Sequence, residues 1–198
     1  MLSIGLTGGI GSGKTFVTNI LKSNFDIKIF DSDLSAKKII RNDKSVKKSL
    51  ILNFGEKCFI NNQINTKFIS EIVFNNSDKL NKLNSIVHPI VFKDLEIFKL
   101  EYPDKIIVIE SALLFESGMY LSNDFNILIT SPIEIKLQRL IERDKRSKED
   151  ALKIIKSQWD DSKKIELADY VIENINKLET EKNVKKLISN IISNYEEN

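Results

Sequence analysis

With 198 residues, the chain is long enough for one domain with a sizeable core, or for one core plus a small insertion. A net charge of +2, from 30 basic and 28 acidic residues, provides no strong basic field for nucleic acid or an anionic membrane, and no apolar run reaches transmembrane length. The single cysteine, Cys58, excludes an internal disulfide and fits a reducing cytoplasm, and the sequence runs directly into its first strand, leaving no room for a signal peptide.

The run Leu2-Ser3-Ile4-Gly5-Leu6-Thr7 reads as a buried strand. It is followed by Gly8-Gly9-Ile10-Gly11-Ser12-Gly13-Lys14-Thr15, a complete G-x-x-x-x-G-K-[ST] loop. From Thr15 to Leu21 the pattern is helical, with Phe16, Ile20 and Leu21 on the apolar side. Strand, glycine turn and helix start are the context that a phosphate-binding loop requires. Five of the chain's seven glycines fall between Gly5 and Gly13, so a chain sparing of glycine concentrates it at one turn. There, backbone N–H groups must converge on phosphate oxygens, and glycine permits both the dihedrals and the close approach. The helix that follows aims its positive end at the same anion, Lys14 reaches the β- and γ-phosphates, and the Thr15 hydroxyl is the expected Mg2+ ligand.

A second strand, Ile27–Phe30, leads into Asp31-Ser32-Asp33. Ligands of open α/β sheets bind outside the carboxyl ends of the strands, so either aspartate is a candidate to accept a hydroxyl proton or help hold Mg2+. The alternative is that Asp31 or Ser32 caps the next helix. Between positions 34 and 103, helical periodicity in Ile69–Phe74 and in Leu80, Leu83, Ile86, Val87, Ile90 and Val91 predicts an inserted helical subdomain, too long for a crossover and too apolar for a loop. His88-Pro89 lies within it; the lone histidine reads as structural and Pro89 as a helix start.

Ile106–Ile109, unbroken and β-branched, predicts a strand buried on both faces, and Glu110 at its end is a weak candidate for a Walker-B-type acid. Asn126–Thr130 and Tyr170–Ile172 are further strands. Arg139, Arg143 and Arg146 follow i, i+4, i+7 spacing, on one face if a helix extends that far. The chain has 26 lysines and only four arginines, so this cluster reads as a guanidinium lid for phosphate, set against a solvated face paired with Glu142 and Glu149. Trp159 reads as packing, and Val184, Leu187, Ile188, Ile191, Ile192 and Tyr195 as the core face of a last helix. The fold class is therefore α/β: a P-loop NTPase-type parallel sheet flanked by helices. No guanine-specific Asn-Lys-x-Asp signature and no G-x-S-x-G turn is present.

Taken in order, these segments resemble the dephospho-CoA kinase family. The opening Ile4-to-Thr15 stretch, Asp31-x-Asp33, His88-Pro89, Leu113-Leu114-Phe115-Glu116-Ser117-Gly118, Arg139-x-x-x-Arg143-Asp144, Gln158, Ala168-Asp169-Tyr170 and Asn174 carry the resemblance over nearly the whole chain. The chain departs from the family pattern at Ala112, where proline is usual, at Lys136, where glutamine is frequent, at Lys153, where a lid arginine is common, and at Thr15 in place of serine.

The resemblance implies ATP-dependent phosphorylation of the ribose 3′-hydroxyl of dephospho-CoA, in the cytoplasm and with no obligate protein partner. It implies a core of about 1–33, 104–135 and 166–198, an acceptor-binding insertion of 34–103 and a helical lid of 136–165. Asp33 is the implied base. Gly11, Ser12, Gly13, Lys14, Thr15 and Phe16 are the implied ATP cradle. Arg139 and Arg143 are the implied phosphate clamp, and Asp31, Asp33, His88 and Glu116 the implied acceptor contacts.

Overall fold

The computed structural model describes every residue except Phe74, Asn75, Arg146, Ser157 and Asn198, together with all side chains of the described residues but that of Ser77. The last position of the 69–74 periodicity and the third arginine of the cluster therefore lie outside the described residues. The chain divides into two compact units, one of 1–30 with 102–198 and one of 31–101.

The first unit is built on a parallel sheet. In chain order it contains β1 (Ser3–Gly8), α1 (Lys14–Asn24), β2 (Ile27–Asp31, whose last residue already belongs to the second unit), and, after the second unit, β5 (Ile106–Glu110) and β6 (Phe125–Thr130). It continues with α6 (Ile133–Asp144), α7 (Lys148–Lys156), α8 (Asp161–Ile165), β7 (Tyr170–Glu173) and α9 (Lys177–Glu196). The strand order is β2-β5-β1-β6-β7. β1 is buried at every position because it is central, with Ile4 opposite Val108 on one side and Phe125 on the other. That is why its run is apolar or small throughout rather than alternating.

One face of the sheet carries the main core. Ile4, Leu6, Val108, Ile127 and Ile129 meet Val17, Ile20 and Leu21 of α1 and Val184, Ile188 and Ile191 of α9. Each such buried side chain contributes about 1.5–3 kcal/mol, which fixes α1, and with it the turn before α1, against the strand ends. Tyr195 departs from the predicted core face: it is 41% exposed, and its hydroxyl accepts a hydrogen bond from the N-terminal amine of Met1. The helix has run past the sheet by that turn, so periodicity alone overstates the apolar contact. Trp159 also departs from a packing role. It is exposed, and its ring is covered by the Lys163 ammonium at 3.4 Å.

The second unit contains α2 (Ser32–Asn42), α3 (Lys44–Phe54), a short hairpin of β3 (Phe59–Ile60) and β4 (Gln63–Ile64), α4 (Thr66–Val73) and α5 (Ser77–Glu101). Asp43 caps α3 through the amides of Ser45 and Val46, and Ser35 Oγ donates to Asp94 Oδ2 at 2.6 Å, tying α2 to α5. Val46, Leu50 and Phe54 on α3 and Val87, Val91 and Leu95 on α5 form buried i, i+4, i+8 stripes.

Pro89 does not start a helix. It sits inside α5, and its ring is exposed. The buried stripe runs straight across it, so packing on both sides outweighs the one backbone hydrogen bond that proline removes. The hairpin was not foreseen. Its turn, Asn61-Asn62, has φ of 47° and 68°, the left-handed pair that a tight two-residue connection demands and that asparagine tolerates.

Candidate nucleotide-binding site

The Gly8–Thr15 loop joins the carboxyl end of β1 to the start of α1. Gly11 and Gly13 adopt φ of 81° and 93°, conformations closed to most L-residues. Their surroundings exclude a side chain as well. A Cβ on Gly11 would lie 2.8 Å from the Lys136 carbonyl oxygen, and one on Gly13 would lie 2.0 Å from Asn174 Nδ2. The Gly9 carbonyl accepts from the Ser12 amide at 3.0 Å, and the Gly13 carbonyl accepts from Phe16 and Val17 to open α1. The first turn of α1 carries no acidic residue, so nothing of its own neutralises the positive end of the helix. This is the arrangement an anion requires.

A cavity of about 630 Å3 opens over the loop, lined by Lys14, Thr15, Phe16, Ala112, Arg143 and Asn174 among others. Lys14 is anchored by Glu110, with Nζ to Oε1 at 3.1 Å, while Thr18 Oγ1 donates to the other carboxylate oxygen at 2.9 Å. Both partners are largely buried, at 16% and 14% side-chain exposure. Glu110 is the functional residue to which sequence reasoning gave least weight. Its signal is its place as the last residue of a buried strand adjoining β1, where it reaches the loop. Thr15 is solvent-exposed at the helix start. Among the described residues no group of three or more His, Cys, Asp or Glu could hold a metal ion. The Thr15 hydroxyl, on the cavity wall beside the loop, is a hard oxygen donor of the kind Mg2+ takes.

The helical segment after β6 wraps the loop from outside. Arg139 Nη1 lies 3.1 Å from the carbonyl oxygens of both Gly11 and Ser12 and 3.0 Å from Ser131 Oγ, and Nη2 donates to the Asn174 carbonyl at 2.9 Å. Gln158 Oε1 accepts the Ile10 amide at 2.7 Å, and Lys136, buried, pairs with Asp161. Arg143 lines the cavity but holds Asp144, with Nε to Oδ1 at 2.7 Å and Nη2 to Oδ2 at 3.0 Å, a contact that raises the pKa of its guanidinium. α6 ends at Asp144 with Lys145 in the left-handed conformation, so the one-face spacing is described for Arg139 and Arg143 alone. Arg146 lies outside the described residues.

Asp31 is the N-cap of α2, accepting the Leu34 amide at 2.8 Å, and Asp33 sits in the first turn of that helix. His88 is half-buried on α5, and burial lowers its imidazole pKa. Glu116 lies in the turn after β5 with both carboxylate oxygens buried. Lys164 Nζ, fully buried, is 2.9 Å from Oε1 but off-axis, so neither group makes an aligned hydrogen bond within the described residues. Ser131 and Asp161 carried no signal in the sequence, and Lys136 stood out only as a departure from the family's usual glutamine.

A central parallel strand, a glycine loop with two left-handed residues and a helix-start lysine anchored by the acid of the adjoining strand define a P-loop kinase. The family model described as dephospho-CoA kinase matches residues 2–180. A dephospho-CoA kinase from Fusobacterium nucleatum is 44% identical over 180 residues, 90% of this chain and 92% of that protein. The solved dephospho-CoA kinase from Campylobacter jejuni superposes with a TM-score of 0.66 at 29% identity, covering 96% of each chain. A crystal structure from Thermus thermophilus reaches a TM-score of 0.82 at 26% identity, covering 98% of this chain and 97% of that one. The chain belongs to the dephospho-CoA kinase family. No helix among the described residues is long and apolar enough to cross a membrane.

Proposed function

We propose that the enzyme transfers the γ-phosphoryl group of ATP to the ribose 3′-hydroxyl of dephospho-CoA, giving coenzyme A and ADP, in the cytoplasm. The observation that carries this is the Gly8–Thr15 loop, with Gly11 and Gly13 in left-handed conformations and Lys14 held by Glu110, in a chain of this family. The loop from Gly11 to Phe16 cradles ATP, its phosphates met by backbone amides other than those of Ser12 and Phe16, which are bonded to Gly9 and Gly13, and Lys14 neutralises charge on the transferred group. Thr15 would hold Mg2+, which would supply positive charge to offset that developing on the transferred phosphoryl group.

Arg143 adds a planar guanidinium from the cavity wall, and Arg139 adds positive charge behind the loop. Asp33 takes the hydroxyl proton. The Asp31 carboxylate caps the helix that carries Asp33 in its first turn. The helical unit of 31–101, with His88, binds the acceptor, and 136–165 acts as the lid. Glu116 supports the acceptor site through its pairing with Lys164. The test is a mass-spectrometric assay with ATP, Mg2+ and dephospho-CoA. Stoichiometric CoA and ADP, abolished by Lys14→Ala, are expected; ATP binding without CoA would overturn the acceptor assignment.

A further inference from the structure

For the amides of a phosphate loop to converge on an anion, its carbonyls must point away, and buried carbonyls need donors. In this chain the outward carbonyls of Gly11 and Ser12 are received by three side chains from two segments distant from the loop in sequence. Arg139 Nη1 is 3.1 Å from both, Asn174 Nδ2 donates to Ser12 O at 2.8 Å, and Ser131 Oγ lies 3.1 Å from the same oxygen. The receivers are bound to one another. Arg139 donates to Ser131 Oγ at 3.0 Å and to Asn174 O at 2.9 Å, Ser131 Oγ lies 2.7 Å from Asn174 O, and Thr180 Oγ1 donates to Asn174 Oδ1 at 3.2 Å. Ser131, Asn174 and Thr180 are 5%, 2% and 1% exposed. Only a planar, multi-donor guanidinium reaches this set of acceptors at once, which a lysine ammonium cannot do.

We infer, building on the phosphate-loop reading above, that Arg139, Ser131 and Asn174 form a clamp on the outer side of the loop. The clamp holds Gly11–Gly13 in the anion-receiving conformation before nucleotide arrives. Arg139 is then a positioning residue, acting through the loop carbonyls. Two left-handed glycines are entropically costly to order, and a clamp that orders them in the free protein removes that cost from binding. The cationic guanidinium also polarises the peptide groups whose N–H ends face the phosphates.

The test is calorimetric titration of ATP with Mg2+ into wild type, Ser131→Ala, Arg139→Ala and the double variant, with amide hydrogen exchange on the free proteins. Ser131 does not line the nucleotide cavity, so it reaches ATP only through the loop. Arg139→Ala should weaken ATP about tenfold or more and Ser131→Ala by a smaller factor, on the scale of one charged or one neutral hydrogen bond. The double variant should be no worse than Arg139→Ala within about twofold, since both changes break one unit. Ser131→Thr, which keeps the hydroxyl, should recover affinity, and KM for dephospho-CoA should not move.

Without nucleotide, exchange of the amides between Gly11 and Lys14 should accelerate in both single variants. Wild-type ATP affinity in Ser131→Ala, or unchanged loop exchange in Arg139→Ala, would overturn the clamp. If Ser131→Ala fails to fold, Thr180→Val, which loses the hydroxyl that holds Asn174 Oδ1 and does not line the cavity, takes its place in every comparison. Failure of the wild type to bind ATP would refute the phosphate-loop reading instead, and the exchange measurement would still decide the clamp.

Discussion

Replacing Gly13 with alanine probes the most tightly built point of the site. The backbone there has φ of 93°, where an L-residue costs about 1–2 kcal/mol. The added Cβ would lie 2.0 Å from Asn174 Nδ2, so that side chain must leave. Its departure breaks the 2.8 Å bond to Ser12 O and the 3.2 Å bond from Thr180 Oγ1, both buried, at about 1–1.5 kcal/mol each. The sum is about 3–5 kcal/mol, which in a chain of this length lowers Tm by roughly 10–15 °C. Gly118 is the control: its φ is 76°, and nothing lies within 4 Å of the position a Cβ would take, so Gly118→Ala carries backbone strain alone, about 1–2 kcal/mol. Thermal unfolding followed by circular dichroism, without nucleotide, measures both. Equal Tm losses in the two variants would refute the steric argument and with it the claim that Asn174 is locked against the loop.

Asp33→Asn should lower kcat by about 10²-fold or more while ATP affinity stays near wild type, as expected for loss of a general base; unchanged turnover would remove Asp33 from that role. His88 is the chain's one histidine, so a proton NMR titration reads it directly. Burial depresses its pKa below 6.5, so its contribution to stability is complete above that value and is lost as pH falls through the lower folded value; a midpoint at or above 6.5 would contradict this. Lys164→Ala should cost about 3–5 kcal/mol in urea unfolding because it strands the buried Glu116 carboxylate, whereas Glu116→Leu with Lys164→Met should regain most of the loss; a double variant as unstable as the single would sink that account.

The sheet was legible because each of its strands is a short β-branched or apolar run next to a turn. Ile106–Ile109 is the clearest case, buried because β5 lies inside the sheet. The phosphate loop was legible because its chemistry is local: glycine spacing and one lysine define it within eight residues. What was not legible is set by partners distant in sequence. Glu110 gains meaning only when β5 is placed beside β1, and Ser131 only when α6 is folded onto the loop. Pro89 misled because the local penalty of proline was outweighed by Val87, Val91 and Leu95 packing on both sides of it. Tyr195 misled because helical period continues after the sheet beneath it has ended.

The loop leaves the ribosome before the groups that receive its carbonyls, Arg139 and Asn174, the latter 162 residues further on. Its strand is flanked by β5 and β6, both of which are made after the whole of the unit 31–101. A nascent chain therefore carries the complete glycine signature long before it carries a receptive anion site. The site is complete only once Asn174 has been made, and a product truncated before β7 would retain the motif without its scaffold.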